Sequence, residues 1–119
     1  MRIALDTMGG DYAPHSTVQG AIEYLKDTGS EAAEIVLVGD KSPIKNNLHN
    51  FHDRYSKLII HHTNDVVNMD DKPSKIFKTK PDSSLVTAVN MVKNNEVNAV
   101  VSAGNTGAVL ASSIFILGN

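Results

Sequence analysis

The sequence contains no cysteine. This excludes a disulfide scaffold, thiolate zinc ligation and cysteine catalysis, and it is compatible with a reducing cytoplasm. Positive charge is not in excess: 11 Lys and Arg face 13 Asp and Glu, for a formal net charge of −2. No nucleic-acid partner is expected, because a phosphate backbone demands a basic surface. Long apolar runs are missing too. Arg2 precedes only Ile3, Ala4 and Leu5 before Asp6 interrupts, too little for a signal-peptide core. The longest weakly polar stretch, Gly107 to Leu117, falls short of the roughly 20 residues that a bilayer span needs. Neither a Gly-x-x-x-x-Gly-Lys-Ser/Thr loop nor a Gly-x-Gly-x-x-Gly turn occurs. Nothing therefore points to a nucleoside triphosphate or a dinucleotide cofactor.

What is there is an ordinary globular composition, 41% apolar and 20% charged over 119 residues. It fits one domain, residues 1–119, with enough chain to bury a core. Four short β-branched runs read as strands: Ile3-Ala4-Leu5, Ile35 to Val38 (ended by Gly39-Asp40), Leu58-Ile59-Ile60 and Ala99-Val100-Val101. They are continuous rather than alternating, as expected of parallel strands buried on both faces. Helical stretches lie between them. Thr17 to Asp27 puts Val18, Ala21, Ile22 and Leu25 on one face, with Pro14 near its start and Gly29 as a stop. Ser42-Pro43 opens a weaker helix carrying Ile44 and Leu48. Ser83 or Ser84 caps a third, with Leu85, Ala88, Val89 and Val92 inward. Thr106 starts a fourth that runs into Leu117. The alternation predicts a layered, Rossmann-like α/β fold, its sheet mostly parallel with helices on both faces.

Charge is unevenly spread. Lys72, Lys75, Lys78 and Lys80 crowd one segment bracketed by Pro73 and Pro81, while Val97 to Asn119 carries no charge. An uncharged helix ending at Ile116-Leu117-Gly118-Asn119 wants cover from further protein, so the chain reads as incomplete at its C-terminus.

Ligands of parallel α/β sheets bind beyond the carboxyl ends of the strands. The loops there are Asp6-Thr7-Met8-Gly9-Gly10-Asp11 and Ser102-Ala103-Gly104-Asn105-Thr106-Gly107. Glycines let backbone N–H groups approach an anion, and the second loop leads into a helix N-terminus. Ser102, Asn105 and Thr106 add side-chain donors. The plainer reading is that these glycines only make tight turns. Asp6 and Asp11 either hold a metal or orient a loop, or they simply accept backbone hydrogen bonds at the strand end, which is the plainer reading. The lysines either meet phosphate or an acidic partner, or form a solvated face. His49, His52 and Asp53, and the pair His61-His62, have ligand-like spacings. Their setting among Asn46, Asn47, Asn50 and Arg54 reads as polar surface, so no metal site is assigned. Ser83-Ser84 reads as a cap rather than a nucleophile, because no nearby base would activate it. No catalytic residue or base stands out.

Several motifs in order resemble the PlsX family of bacterial phosphate acyltransferases. They are Met1 to Asp11 with Ala13-Pro14, Asp70-Asp71-Lys72-Pro73, Asp82-Ser83-Ser84, Val100 to Gly107, and Phe115-Ile116-Leu117-Gly118. The resemblance covers the whole chain and only the amino-terminal part of the longer family members. Thr7 stands where the family usually has Ala, Pro81 where a basic residue is common, Asn94-Asn95-Glu96 replaces a Gly-containing turn, and the stretch from Asn50 to His62 is individual. The resemblance implies transfer of a fatty acyl group from acyl carrier protein to inorganic phosphate. The acyl phosphate would feed membrane phospholipid synthesis. It implies a fold similar to phosphotransacetylases and isopropylmalate dehydrogenases. It also implies a cytoplasmic homodimer with peripheral membrane attachment through parts beyond this chain. Phosphate is itself the nucleophile in such a reaction, so no Cys or Ser nucleophile is needed. On this reading Asp6, Gly9, Gly10, Asp11, Ser102, Gly104, Asn105, Thr106 and Gly107 form the phosphate end, and Lys72 and Lys80 steer phosphate or the acidic carrier. Two alternatives stay open: a phosphotransacetylase-like enzyme using acyl-coenzyme A, and an inactive phosphate-binding domain.

Overall fold

The computed structural model describes residues 1–49 and 56–118. The strands are β1 (Arg2–Asp6), β2 (Glu34–Gly39), β3 (Leu58–His62) and β4 (Ala99–Val101). They form one sheet, ordered β3-β2-β1-β4, with every pairing parallel. Ala4 sits opposite Val36 on one side and Val100 on the other. The strand order reverses between β1 and β4, and this is where the two glycine loops emerge.

Helices cover both faces. On one face lie α1 (His15–Thr28) and α2 (Lys41–Leu48). The α1 residues Val18, Ala21, Ile22 and Leu25 are buried against Ile35, Leu37 and Leu58 of the sheet and Ile44 and Leu48 of α2. On the other face α4 (Ser84–Lys93), which follows the single turn α3 (Ile76–Thr79), packs Ala88 and Met91 on Ala4, Val36 and Val38. Leu37 and its neighbours Val36 and Val38 thus serve opposite faces, as strand alternation requires. Outside α4 lies α5 (Thr106–Ser112), joined to it through Ala108, Leu85, Val86, Val89 and Ile76.

The helix ends follow local chemistry. Gly29 takes φ 65 and its N–H donates to Leu25 O, ending α1. Asp40 caps α2 by accepting from Ser42 N, so the helix opens ahead of the Ser-Pro pair. Ser83 caps α4 by accepting from Val86 N at 3.2 Å. The last helix departs from a plain α-helix: after Ser112 it widens into a π-helical turn, Ser113–Leu117. Val92 packs at the edge of its cluster, half-buried, while Val86 and Met91 are buried.

Burial on both faces holds for β2 and fails for the outer strands. Ile59, His61, His62, Ala99 and Val101 are exposed. The helices centre on β1 and β2, and each outer strand has a neighbour on one side only. Two of the departures from the family pattern, Thr7 and Asn95, have local explanations. The Thr7 hydroxyl donates to Val38 O at 2.8 Å, and it fits because residue 39 is Gly, where any Cβ would collide with Thr7 Oγ1. Asn95 takes φ 61, a conformation that Asn tolerates nearly as Gly does. Among the described residues no helix is long and apolar enough to cross a membrane.

Candidate functional site

Asp6 closes β1 and is only 3% exposed. Its Oδ1 accepts from Ser84 Oγ at 2.5 Å and from Met8 N at 3.1 Å. Its Oδ2 accepts from Ser102 Oγ at 2.8 Å. Ser102 Oγ in turn accepts from Gly104 N at 3.2 Å. One carboxylate therefore links the loop after β1, the first turn of α4 and the loop after β4. Buried carboxylates are tolerated when their acceptor sites are filled in this way.

The two loops meet backbone to backbone. A Cβ on Gly9 would stand 2.8 Å from Gly104 N and 2.9 Å from Asp6 Oδ2. Gly10 takes φ 103, a conformation that favours glycine, while a Cβ there would stand in ordinary contact with Ala103 O at 3.5 Å; the close approach itself depends on Gly9. Asn105, 7% exposed, works in two directions. Its Oδ1 caps α5 by accepting from Ala108 N at 3.1 Å. Its Nδ2 donates to the carbonyls of Asn68, Met69 and Asp71 at 3.2–3.3 Å. The segment from residue 68 to 71 is thereby fastened over the loop after β4. Pro73 lies against the first turn of α5, where a Cβ on Gly107 would come within 2.8 Å of Pro73 Cγ. This places the backbone of Lys72 beside that turn.

The structure thus brings together Asp6, Gly9, Gly10, Ser102, Gly104, Asn105 and Gly107, with Lys72 at the margin. Thr106 and Asp11 are exposed. Lys72, Lys75 and Lys78 are exposed as well, and Lys78 Nζ lies 5.9 Å from the Phe77 ring centre. Lys80 is turned inward instead. Its Nζ donates to Val66 O at 2.8 Å and to Asp71 Oδ2 at 2.6 Å. The Lys80 hydrogen bond, then that of Asn68 N, holds the Asp71 carboxyl below its ordinary value. A depressed carboxylate stabilises the fold above its unfolded pKa and loses that contribution as pH falls through the folded one. Thermal stability should therefore fall as pH drops below the ordinary carboxylate range. Lys80→Met should flatten that acid limb in melting curves recorded against pH.

Ser84 is the residue the sequence pattern under-reads. Of the two adjacent serines at the start of α4 only Ser83 caps it, and Ser84, at the first helical position, keeps a free hydroxyl hydrogen to donate. The histidines do local work: His62 Nδ1 accepts from Lys41 N at 3.1 Å, and its Nε2 lies 2.9 Å from Asn64 Oδ1. His49 ends α2, while His52 and Asp53 lie outside the described residues. Among the described residues no three His, Asp or Glu gather as metal ligands.

The motifs that build this arrangement can be set against known proteins. The family model described as "Fatty acid synthesis protein" matches residues 1–119. A phosphate acyltransferase of Dictyoglomus turgidum is 47% identical over 99% of this chain and 34% of its own length. One of Clostridioides difficile is 41% identical over the same shares. One of Francisella tularensis is 42% identical over 98% of this chain and 35% of its own length. The chain spans about a third of the length of the curated relatives it matches. A match that runs through both glycine loops and every strand between them makes this chain a member of the fatty acid synthesis protein family.

Proposed function

We propose that the chain is the amino-terminal, phosphate-holding part of an acyltransferase that moves a fatty acyl group from acyl carrier protein to inorganic phosphate. The observation that carries this reading is the convergence of two glycine loops, backbone on backbone, at the strand-order reversal of a parallel sheet. The family match and the printed names of the relatives support it. A phosphate oxygen attacks the thioester carbonyl carbon, and a tetrahedral oxyanion forms. The C–S bond then breaks, the carrier leaves as a thiolate that takes up a proton, and acyl phosphate remains. Backbone amides of Gly10, Thr106 and Gly107 supply donors for phosphate, and Lys72 adds positive charge at the margin. Positioning phosphate against the thioester supplies much of the rate without a protein nucleophile. The family resemblance extends the proposal to a homodimer attached peripherally to the membrane.

The test is phosphate-dependent release of free carrier protein from acyl carrier protein, with acyl phosphate trapped by hydroxylamine. This chain is run beside a form in which it replaces the matching third of the Dictyoglomus turgidum protein. Activity in the longer form is the expected result. Release with acyl-coenzyme A and not with acyl carrier protein would move the assignment to a phosphotransacetylase-like enzyme. Phosphate binding without turnover in a folded long form would leave a binding domain.

A further inference from the structure

We propose that Asp6 is a positioning residue, governed by Ser84, that sets the two glycine loops without itself touching phosphate. The inference rests on the phosphate-binding reading above and reassigns two of its side chains. A carboxylate only accepts, and each serine hydroxyl has a single hydrogen to give. Ser84 and Ser102 both spend that hydrogen on Asp6, at 2.5 and 2.8 Å. With its hydrogen so placed, Ser102 turns a lone pair to Gly104 N. Its hydroxyl therefore has no donor left for a ligand. Met8 N fills a further acceptor site on Asp6, and Gly9 lies against Oδ2. Asp6 is thus enclosed, and a phosphate dianion would meet the amides of the loops rather than this like charge. Ser84 sits at the first position of α4, a helix anchored by Ala88 and Met91 on the sheet face that carries Ala4. Through Ser84 the packed core sets where both loops stand.

The sign of one substitution separates positioning from contact. If Asp6 faced phosphate, Asp6→Asn would remove a repulsive charge and tighten binding. If it positions, the new Nδ2 faces Ser102 Oγ, displaces its hydrogen and disturbs Gly104, so binding weakens. The experiment uses the 119-residue chain. Inorganic phosphate is titrated while the amide resonances of Gly10, Thr106 and Gly107 are followed by NMR, and amide hydrogen exchange is measured without phosphate. Asp6→Asn and Ser84→Ala should each weaken phosphate binding about tenfold, the scale of one lost charged hydrogen bond. Ser84→Thr should restore most of it. Ser84→Ala should also speed exchange at Met8 and Gly104 while Val36 and Leu37 stay protected, which general destabilisation would not do. Tighter or unchanged binding in Asp6→Asn overturns the proposal. So does unchanged exchange at Met8 and Gly104 in Ser84→Ala. A wild-type chain that ignores phosphate counts against the binding reading, and the exchange result then decides the positioning role alone.

Discussion

Gly9→Ala should cost about 3 kcal/mol, near the upper end of overpacking losses, and lower the melting temperature by more than about 10 °C. The new methyl has nowhere to go. It meets Gly104 N at 2.8 Å and Asp6 Oδ2 at 2.9 Å, and both neighbours are held in the buried network rather than on flexible side chains. Relief requires the two loops to part, which breaks the hydrogen bond from Ser102 Oγ to Asp6 Oδ2 and uncovers Asp6. Gly104→Ala is the control. Its Cβ would stand 3.4 Å from Gly9 Cα and 3.5 Å from Ser102 Oγ, at the border of ordinary contact. That variant should lose under about 1 kcal/mol. Equal losses in thermal melts of the two variants would show that the loops are not in backbone contact.

The strands and their order of appearance were legible because each is a short β-branched run closed by a polar or glycine residue. Asp6 and Gly39 are visible punctuation of this kind. The burial of those strands was less legible, since whether Val101 or Ile59 is covered depends on how many neighbours the sheet provides. The two glycine loops could be found from their place after β1 and β4, but their mutual contact could not. Gly9 and Gly104 are far apart in sequence, and nothing local to either announces the other. Lys80 illustrates the same limit. In a run of lysines it looks like one more surface charge, yet it alone of the four is pinned, to Asp71 and Val66. Ser84 was masked by Ser83, which satisfies the capping pattern by itself.

Asn105→Asp should be at least as damaging as Asn105→Ala, with a loss of about 3 kcal/mol. At an exposed helix start the Asn-to-Asp change is nearly neutral, because either side chain caps equally well. Here Oδ1 would still accept from Ala108 N. The other oxygen would face the carbonyls of Asn68, Met69 and Asp71, where Nδ2 now donates. Three acceptors would then confront a buried negative charge. Acidification should restore a donor by protonating the carboxyl, so the Asp variant should regain stability as pH falls while the Ala variant does not. Denaturant titrations of both variants at neutral and acid pH check this. An Asp variant as stable as wild type would mean that the segment from residue 68 to 71 is not fastened by Asn105.

The reach of the Asp6 network along the chain bears on when the site comes into being. Its serine partners are 78 and 96 residues away in sequence. Closing such distances is paid in chain entropy before any contact rewards it. The carboxylate is therefore satisfied only once β1, α4 and β4 have all been assembled. On the proposed reading, phosphate at the loops would recognise the finished sheet and no partly folded form, and its binding would draw the whole folding equilibrium toward the native state by mass action.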